Sequence, residues 1–290
     1  MKEKNIGVIK RLLEGAYDLH THTEPSAFNR ALDDFDLVKE ANEFKMAGVL
    51  IKSHYEPTQS RAALVNLKSN LGTKAYGGTV LNWPNGGLNP YAVENALKTG
   101  AVIVWMPTRD SENCLKYGDM PGDFFKRPGI SVLEENGKLK KEVYEIFKIM
   151  KKYNGYLATG HLSVKESILL CEEGRRLGVN MILTHPEWQR TMVDGETQKY
   201  LASLGVLIEK NWLNIAEKSV TVKEMANNIR IAGVKNVYLS TDRGQNGFET
   251  PVYGMIKFME ALLEEGFTEE EIRIMTHEVP KLIVNRMSKA

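Results

Sequence analysis

The sequence predicts an α/β chain folded as a (β/α)8 TIM barrel, with an insertion after the fourth strand. Two observations carry this expectation. Short apolar strands alternate strictly with amphipathic helices eight times along the chain, and apolar strands set between helices belong to a parallel sheet covered on its outer face. The strand ends fall near His22, His54, Asn82, Pro107, His161, His185, Glu209 and Asp242, 24 to 33 residues apart except for one step of 54. Repeats of about 30 residues suit β–α units, and eight of them close a barrel. An open doubly wound sheet is the alternative. It lacks support, because no strand feeds a Gly-x-Gly-x-x-Gly turn and no phosphate loop is present.

Each element has its own signal. Asp18 to His22, led in by the apolar Gly15-Ala16-Tyr17, is the first strand. Leu32, Phe35, Val38 and Ala41 recur at helical spacing, which predicts a helix over Ala31 to Gly48. Val49 to His54 is a short apolar strand, Pro57 to Leu71 a helix closed by Gly72, and Ala75 to Asn82 a glycine-containing strand. Pro90 to Lys98 is helical, and Ala101 to Met106 is the clearest buried strand. Beyond the long step come the helix Lys141 to Tyr153, the strand Gly155 to His161, the helix Val164 to Leu177 and the strand Val179 to His185. Thr197 to Leu204, Val222 to Ala232 and Val252 to Glu265 read as helices, with strands Val206 to Glu209 and Val237 to Asp242 between them, and Glu269 to Asn285 is a helical tail. The long step holds residues 109–137, with Pro121-Gly122, Pro128-Gly129 and the hairpin signal Asn136-Gly137. It reads as an insertion over the barrel mouth within a single domain spanning 1–290.

Bulk properties exclude several classes. With 42% hydrophobic and 26% charged residues and a net charge of +1, the chain has the composition of a globular protein and no field that would draw nucleic acid or an anionic membrane. No apolar run approaches the roughly 20 residues of a membrane helix. Met1 to Asn5 lacks the apolar core of a signal peptide. Cys114 and Cys171 show no metal-ligand spacing, which points to a reducing cytoplasm and structural thiols. Homo-oligomerisation is left open.

The chemistry lies at the strand ends. His20 and His22 share strand parity and point the same way, so they can hold one divalent ion or be plain polar residues. Of the 6 histidines, His20, His22, His54, His161 and His185 all fall at C-terminal strand ends, as does Asp242. In a barrel these ends converge on one mouth, and the set points to a metal site. His277, in the tail, reads as structural or exposed.

The scattered set resembles the amidohydrolase superfamily of metal-dependent barrel hydrolases: His-x-His on strand one, single histidines on strands five and six, and Asp on strand eight. The likeness covers nearly the whole chain, including Val279-Pro280-Lys281-Leu282, which looks like a closing helix. Lys52-Ser53-His54, Gly86-Gly87-Leu88-Asn89-Pro90 and Trp105-Met106-Pro107-Thr108 look like a bacterial and archaeal branch of unassigned function. The resemblance implies His20, His22, His161, His185 and Asp242 as the metal-site residues. One departure matters. Two-metal members place a carboxylated Lys or a Glu at the end of strand four, and Trp105 to Thr108 offers none. Either one ion binds, with zinc the expected metal, or strand two supplies the missing ligand. His54 resembles a metal-binding histidine of a related phosphoesterase family and is placed near the metal. Lys52 is read as a substrate-binding or bridging group.

An ion held by imidazoles and a carboxylate lowers the pKa of bound water from about 15.7 to about 7. That implies a hydrolase acting on an amide, lactone or other ester, with Asp242 as proton shuttle and Glu209 as a secondary candidate. A lyase or decarboxylase, a phosphoesterase, and a binding protein with a degenerate site are the other classes. Arg30, Arg61, Arg109, Arg190 and Arg243 follow strands by a few residues, which suggests a small anionic substrate. Asn82, Trp83 and Trp188 are candidates to shape its pocket.

Overall fold

The computed structural model describes residues 3–118 and 126–285. The elements in order are α1 (Glu3–Leu13), β1 (Tyr17–Thr21), α2 (Asp34–Glu43), β2 (Gly48–Ile51), α3 (Gln59–Ser69), β3 (Lys74–Val80), α4 (Pro90–Lys98), β4 (Ala101–Trp105) and α5 (Glu112–Tyr117). They continue with α6 (Lys141–Lys152), β5 (Tyr156–Ala158), α7 (Val164–Arg176), β6 (Asn180–Leu183), α8 (Gly195–Ser203), β7 (Leu207–Asn211), α9 (Trp212–Ala216), α10 (Val222–Ala232), β8 (Val237–Ser240) and α11 (Pro251–Glu264). The tail is α12 (Glu269–Arg273), a π-helical turn over Ile274–Glu278, and α13 (Val279–Asn285). All neighbouring strands are parallel, in the order β1 to β8, and a parallel bridge from Thr21 to Arg243 brings β8 back to β1. The fold is the (β/α)8 barrel that the repeat spacing predicts.

Period-two alternation sorts the strand residues into two cores. Val49, Ile51, Val104, Leu157, Met181, Leu183, Ile208 and Leu239 pack outward against the helices. Leu50, Ile103, Trp105, Ala158, Ile182 and Tyr238 fill the barrel. Val279, Ile283 and Val284 of α13 join this inner cluster beside Tyr17, Tyr76 and Leu207, residues at or near the strand starts. The tail thus plugs the N-terminal end and leaves the other end to the site. On β1 the phase is reset by a register shift between Asp18 and Thr21, which turns both His20 and His22 inward above Leu19.

Several boundaries differ from expectation. Helix α2 starts only at Asp34, because the Asp33 carboxylate caps it by accepting from Asp36 N, and it is over before Lys45, whose φ is +57°. Helices α1, α5 and α9 are not anticipated; the last two are single turns too short to show a period. In the long step, Pro121-Gly122 lies outside the described residues. Asn136-Gly137 does form a tight turn: Glu134 N donates to Lys138 O at 2.8 Å and Leu133 pairs with Leu139. Val132, from the same stretch, is fully buried in the outer core. Among the described residues no helix is long and apolar enough to cross a membrane.

Asp18 fastens the seam between the last strand and the first. Its Oδ1 accepts from His20 N at 3.2 Å and Thr241 N at 3.1 Å, and its Oδ2 accepts from the Thr241 hydroxyl at 2.5 Å. Asp18→Ala removes the acceptor of two buried N–H groups and a buried hydroxyl, so unfolding free energy should fall by about 2–4 kcal/mol. Urea denaturation checks this. An unchanged midpoint with an unchanged slope would show that the seam does not depend on Asp18.

Candidate metal centre

The centre starts from how His20 and His22 are held. His20 Nδ1 lies 2.9 Å from Glu209 Oε1 on β7, and His22 Nδ1 lies 2.8 Å from the Lys52 carbonyl oxygen. Oxygens of these kinds only accept, so Nδ1 carries the hydrogen on both rings and Nε2 is left as a lone pair. Both lone pairs face the same atom: Asp242 Oδ1 stands 3.1 Å from His20 Nε2 and 2.9 Å from His22 Nε2. His185 Nε2 lies 3.3 Å from Asp242 Oδ2. His185 and Asp242 have φ of +51° and +52°, a left-handed backbone that non-glycine residues adopt at a cost and that concentrates at functional sites.

This convergence fits a cation. Acceptor atoms that face one another in a buried site repel unless positive charge lies between them. Ligands around one ion at about 2.1 Å sit roughly 3.4 Å from each other, close to the separations above. The ligand atoms of His20, His22 and Asp242 all fall within 4.8 Å of one another. A hydrogen-bonded partner on the outer ring nitrogen is also the usual support of a metal-binding imidazole. Burial keeps the rings neutral: it pushes His22 down to about 3 and His185 to about 4, and holds His54 and His161 well below the usual imidazole range. His20 is the exception. Burial acts against its charge, but Asp242 and Glu209 outweigh it and raise its pKa. Burial likewise opposes ionisation of Asp242, yet His20 and His185 hold that carboxyl well below its ordinary value.

The remaining strand-end residues take distinct places. Lys52 is 2% exposed, with Nζ 2.9 Å from His20 Nε2 and 5.2 Å from the Trp105 ring centroid; burial pushes it down to about 8. His54 stacks on His22 with ring centroids 5.1 Å apart, and its Nδ1 lies 2.9 Å from the Thr108 hydroxyl. His161 sits 5.4 Å from the His185 ring and 4.8 Å from Trp188. A cavity of about 490 Å³ opens above these groups, and Arg30, Arg109, Phe28 and Trp188 help to line it.

Other candidates face elsewhere. Arg243 pairs with Glu249 at 2.8 Å. Arg190 stacks on Tyr117 and Trp188 and donates to the Gly118 carbonyl. Arg61 makes a fork with Asp34. Asn82 is a brace: its Oδ1 accepts from Thr108 N and Asp110 N, and its Nδ2 donates to His54 O and Thr108 Oγ1. His277 Nε2 bonds the Glu14 carbonyl at the far end. Two buried features have no clear sequence signal. Asp18 reads as one more strand residue. Glu187 is bonded by Lys210 and by Gln198 and Asn228, at 3.0 and 3.1 Å, which fixes the segment that follows His185.

The imidazole shifts imply a pH response. A ring whose folded pKa lies below the ordinary 6.5 binds fewer protons folded than unfolded between the two values. Its stabilising effect is complete above about 6.5 and is lost as pH falls toward about 4 for His185 and 3 for His22; His20 acts in the opposite sense. Chelator-treated protein should therefore show a falling urea midpoint on acidification through this window, and His185→Asn should make the fall shallower. A midpoint flat across the window would mean that the rings are not held neutral.

The family of unknown function DUF6282 matches residues 15–209, and no curated protein matches by sequence. An amidohydrolase from Pseudomonas aeruginosa is 14% identical with a TM-score of 0.65, covering 97% of this chain and 98% of that one. A protein named as the probable dipeptidase PvdM from Pseudomonas aeruginosa is 10% identical with a TM-score of 0.70 over 100% of both chains. A protein named as a 2-pyrone-4,6-dicarboxylic acid hydrolase from Pseudomonas putida is 11% identical with a TM-score of 0.61, covering 94% and 98%. At such identities the likeness is one of fold. The chain therefore has the barrel fold of the amidohydrolase superfamily and belongs to the DUF6282 family.

Proposed function

We propose that this protein is a metal-dependent hydrolase that cleaves an amide, lactone, ester or related bond in a small anionic molecule. The observation that carries the reading is the meeting of the His20 and His22 lone pairs on Asp242. Two similar structures bear the names of a dipeptidase and of a pyrone dicarboxylic acid hydrolase, which supports hydrolysis as the reaction type. In this reading one zinc ion is held by His20, His22, His185 and Asp242, with His161 and His54 beside it, in a single barrel domain.

When bound, a divalent ion supplies a Lewis acid and water of lowered pKa. The chain's own groups do the rest. Glu209 fixes the ring of His20 and leaves Nε2 bare. Asp242, ionised at neutral pH, takes the proton of the attacking water on a carboxylate oxygen and passes it to the leaving group. Lys52, pushed down to about 8 by burial, donates a hydrogen bond to the oxygen on which charge grows. Trp188, His161 and Phe28 exclude water from the substrate's flank.

Elemental analysis of protein purified without chelator should give one tightly bound ion per chain, and screening amides, lactones and phosphoesters should then reveal turnover that chelation abolishes. Two ions with added mass on Lys52 would overturn the one-ion reading, absence of any divalent affinity would overturn the enzyme, and release of carbon dioxide would make it a lyase. Asp242→Asn keeps the shape and one acceptor but cannot carry a proton. It should retain most of the metal and lose about 10²–10⁴-fold in kcat. A fully active variant with normal metal content would remove Asp242 from both roles.

A further inference from the structure

His161 is held by the long step after β4. Its N–H donates to Pro107 O at 3.0 Å, and its carbonyl oxygen accepts from Ser111 Oγ at 2.8 Å and from Asn113 Nδ2 at 3.2 Å. The Ser111 hydroxyl also caps α5 by accepting from Cys114 N at 3.0 Å. Asn113 Nδ2 donates to Arg190 O as well, at 2.9 Å, and so ties α5 to the loop after β6. The two arms of the step pair with each other: Ile130 N donates to Asp110 O at 2.7 Å, and Glu112 N donates to Ile130 O at 2.9 Å. Gly160 permits the close approach, since its φ is +61° and a Cβ there would run into Met106 O. The innermost side chain of this clamp is Cys114. It is 1% exposed, and its Sγ lies 3.9 Å from His161 Nδ1.

We propose that Cys114 is a positioning residue for His161: its sulfur accepts the Nδ1 hydrogen, fixes the ring and leaves Nε2 as a lone pair toward the cavity. Sulfur is a weak acceptor, yet among the described residues it is the group that meets this nitrogen. With the hydrogen on Nδ1, His161 repeats the form of His20 and His22, whose Nδ1 atoms meet Glu209 and the Lys52 carbonyl. A partner on the outer nitrogen sets both the tautomer and the direction of an imidazole. His161 lines the cavity beside His22, His185 and Asp242, so a bare Nε2 there is an acceptor next to the lone-pair cluster. What that acceptor serves rests on the hydrolase reading; the tautomer does not. The long step also gains a role. Strand four ends without a ligand, and the chain that follows it braces the histidine of strand five.

The test is made on the full chain, labelled with ¹⁵N in histidine, treated with chelator and held at neutral pH. Long-range ¹H–¹⁵N correlation spectra tell a hydrogen-bearing ring nitrogen from a bare one, and His161→Asn identifies the ring by removing its signals. Wild-type His161 should show the Nδ1–H form. Cys114→Val fills much of the space but accepts no hydrogen bond. It strands a buried N–H, so the tautomer ratio should move toward the Nε2–H form by about tenfold or more. Cys114→Ala repeats the measurement should the Val variant fail to unfold cooperatively in urea. Cys171→Val, at the buried thiol of the outer core, should leave His161 unchanged. An Nε2–H ring in the wild type, an unmoved ratio in a folded Cys114 variant, or an equal shift in Cys171→Val would each overturn the proposal. The spectra need neither metal nor turnover, so a chain that shows no divalent affinity loses the hydrolase reading alone.

Discussion

The site depends on one electrostatic constraint: lone pairs from two imidazoles and an ionised carboxylate point at one another inside a barrel mouth that water barely reaches. Charge–charge and charge–dipole terms are strongest where the dielectric is low, so such a meeting of acceptors persists only when the surroundings are arranged for it. Glu209 and the Lys52 carbonyl on the outer ring nitrogens, the Lys52 ammonium beside His20, and the left-handed turns at His185 and Asp242 are those arrangements. Each is imposed by the strand order. Asp242 follows β8, which neighbours β1 in the closed sheet, so it reaches the two histidines of β1 without any long loop.

Burial then decides the state of the titratable groups. The same desolvation that makes a charged imidazole costly keeps His22, His54, His161 and His185 in the neutral form that binds metal ions. Carboxylates would also be discharged by burial, but Asp242 and Glu209 sit against imidazoles that hold them ionised. Ligand basicity and carboxylate charge thus come from one packing arrangement.

The strand ends were legible in the sequence because barrel repeats announce themselves twice, in hydrophobic runs and in their spacing. The sequence alone puts His20, His22, Lys52, His54, His161, His185 and Asp242 at one mouth, since the C-terminal strand ends of a barrel converge there. Loop residues were less legible. Arg243 and Arg190 follow strands as Arg30 and Arg109 do, yet Glu249 takes the first and Tyr117 and Trp188 the second; no periodicity encodes which partner lies within reach. Asn82 has the look of a pocket residue and serves as a brace because its amide meets two backbone N–H groups from the following strand's loop. Asp18 was invisible for the opposite reason: its partner Thr241 is 223 residues away, a contact created only by closure of the sheet.

That closure bears on how the chain comes to its native state. His22 and Asp242 are separated by 220 residues, and they stand on the two strands whose pairing completes the ring. A ribosome exposes the first histidines long before the eighth strand exists, and a partly built sheet presents an open β1 edge, with no acidic partner for its imidazoles. Contacts of such sequence separation form late. A chain that has not joined its ends has only half of this cluster, so any ion that the finished cluster holds would favour the closed ring over the open one.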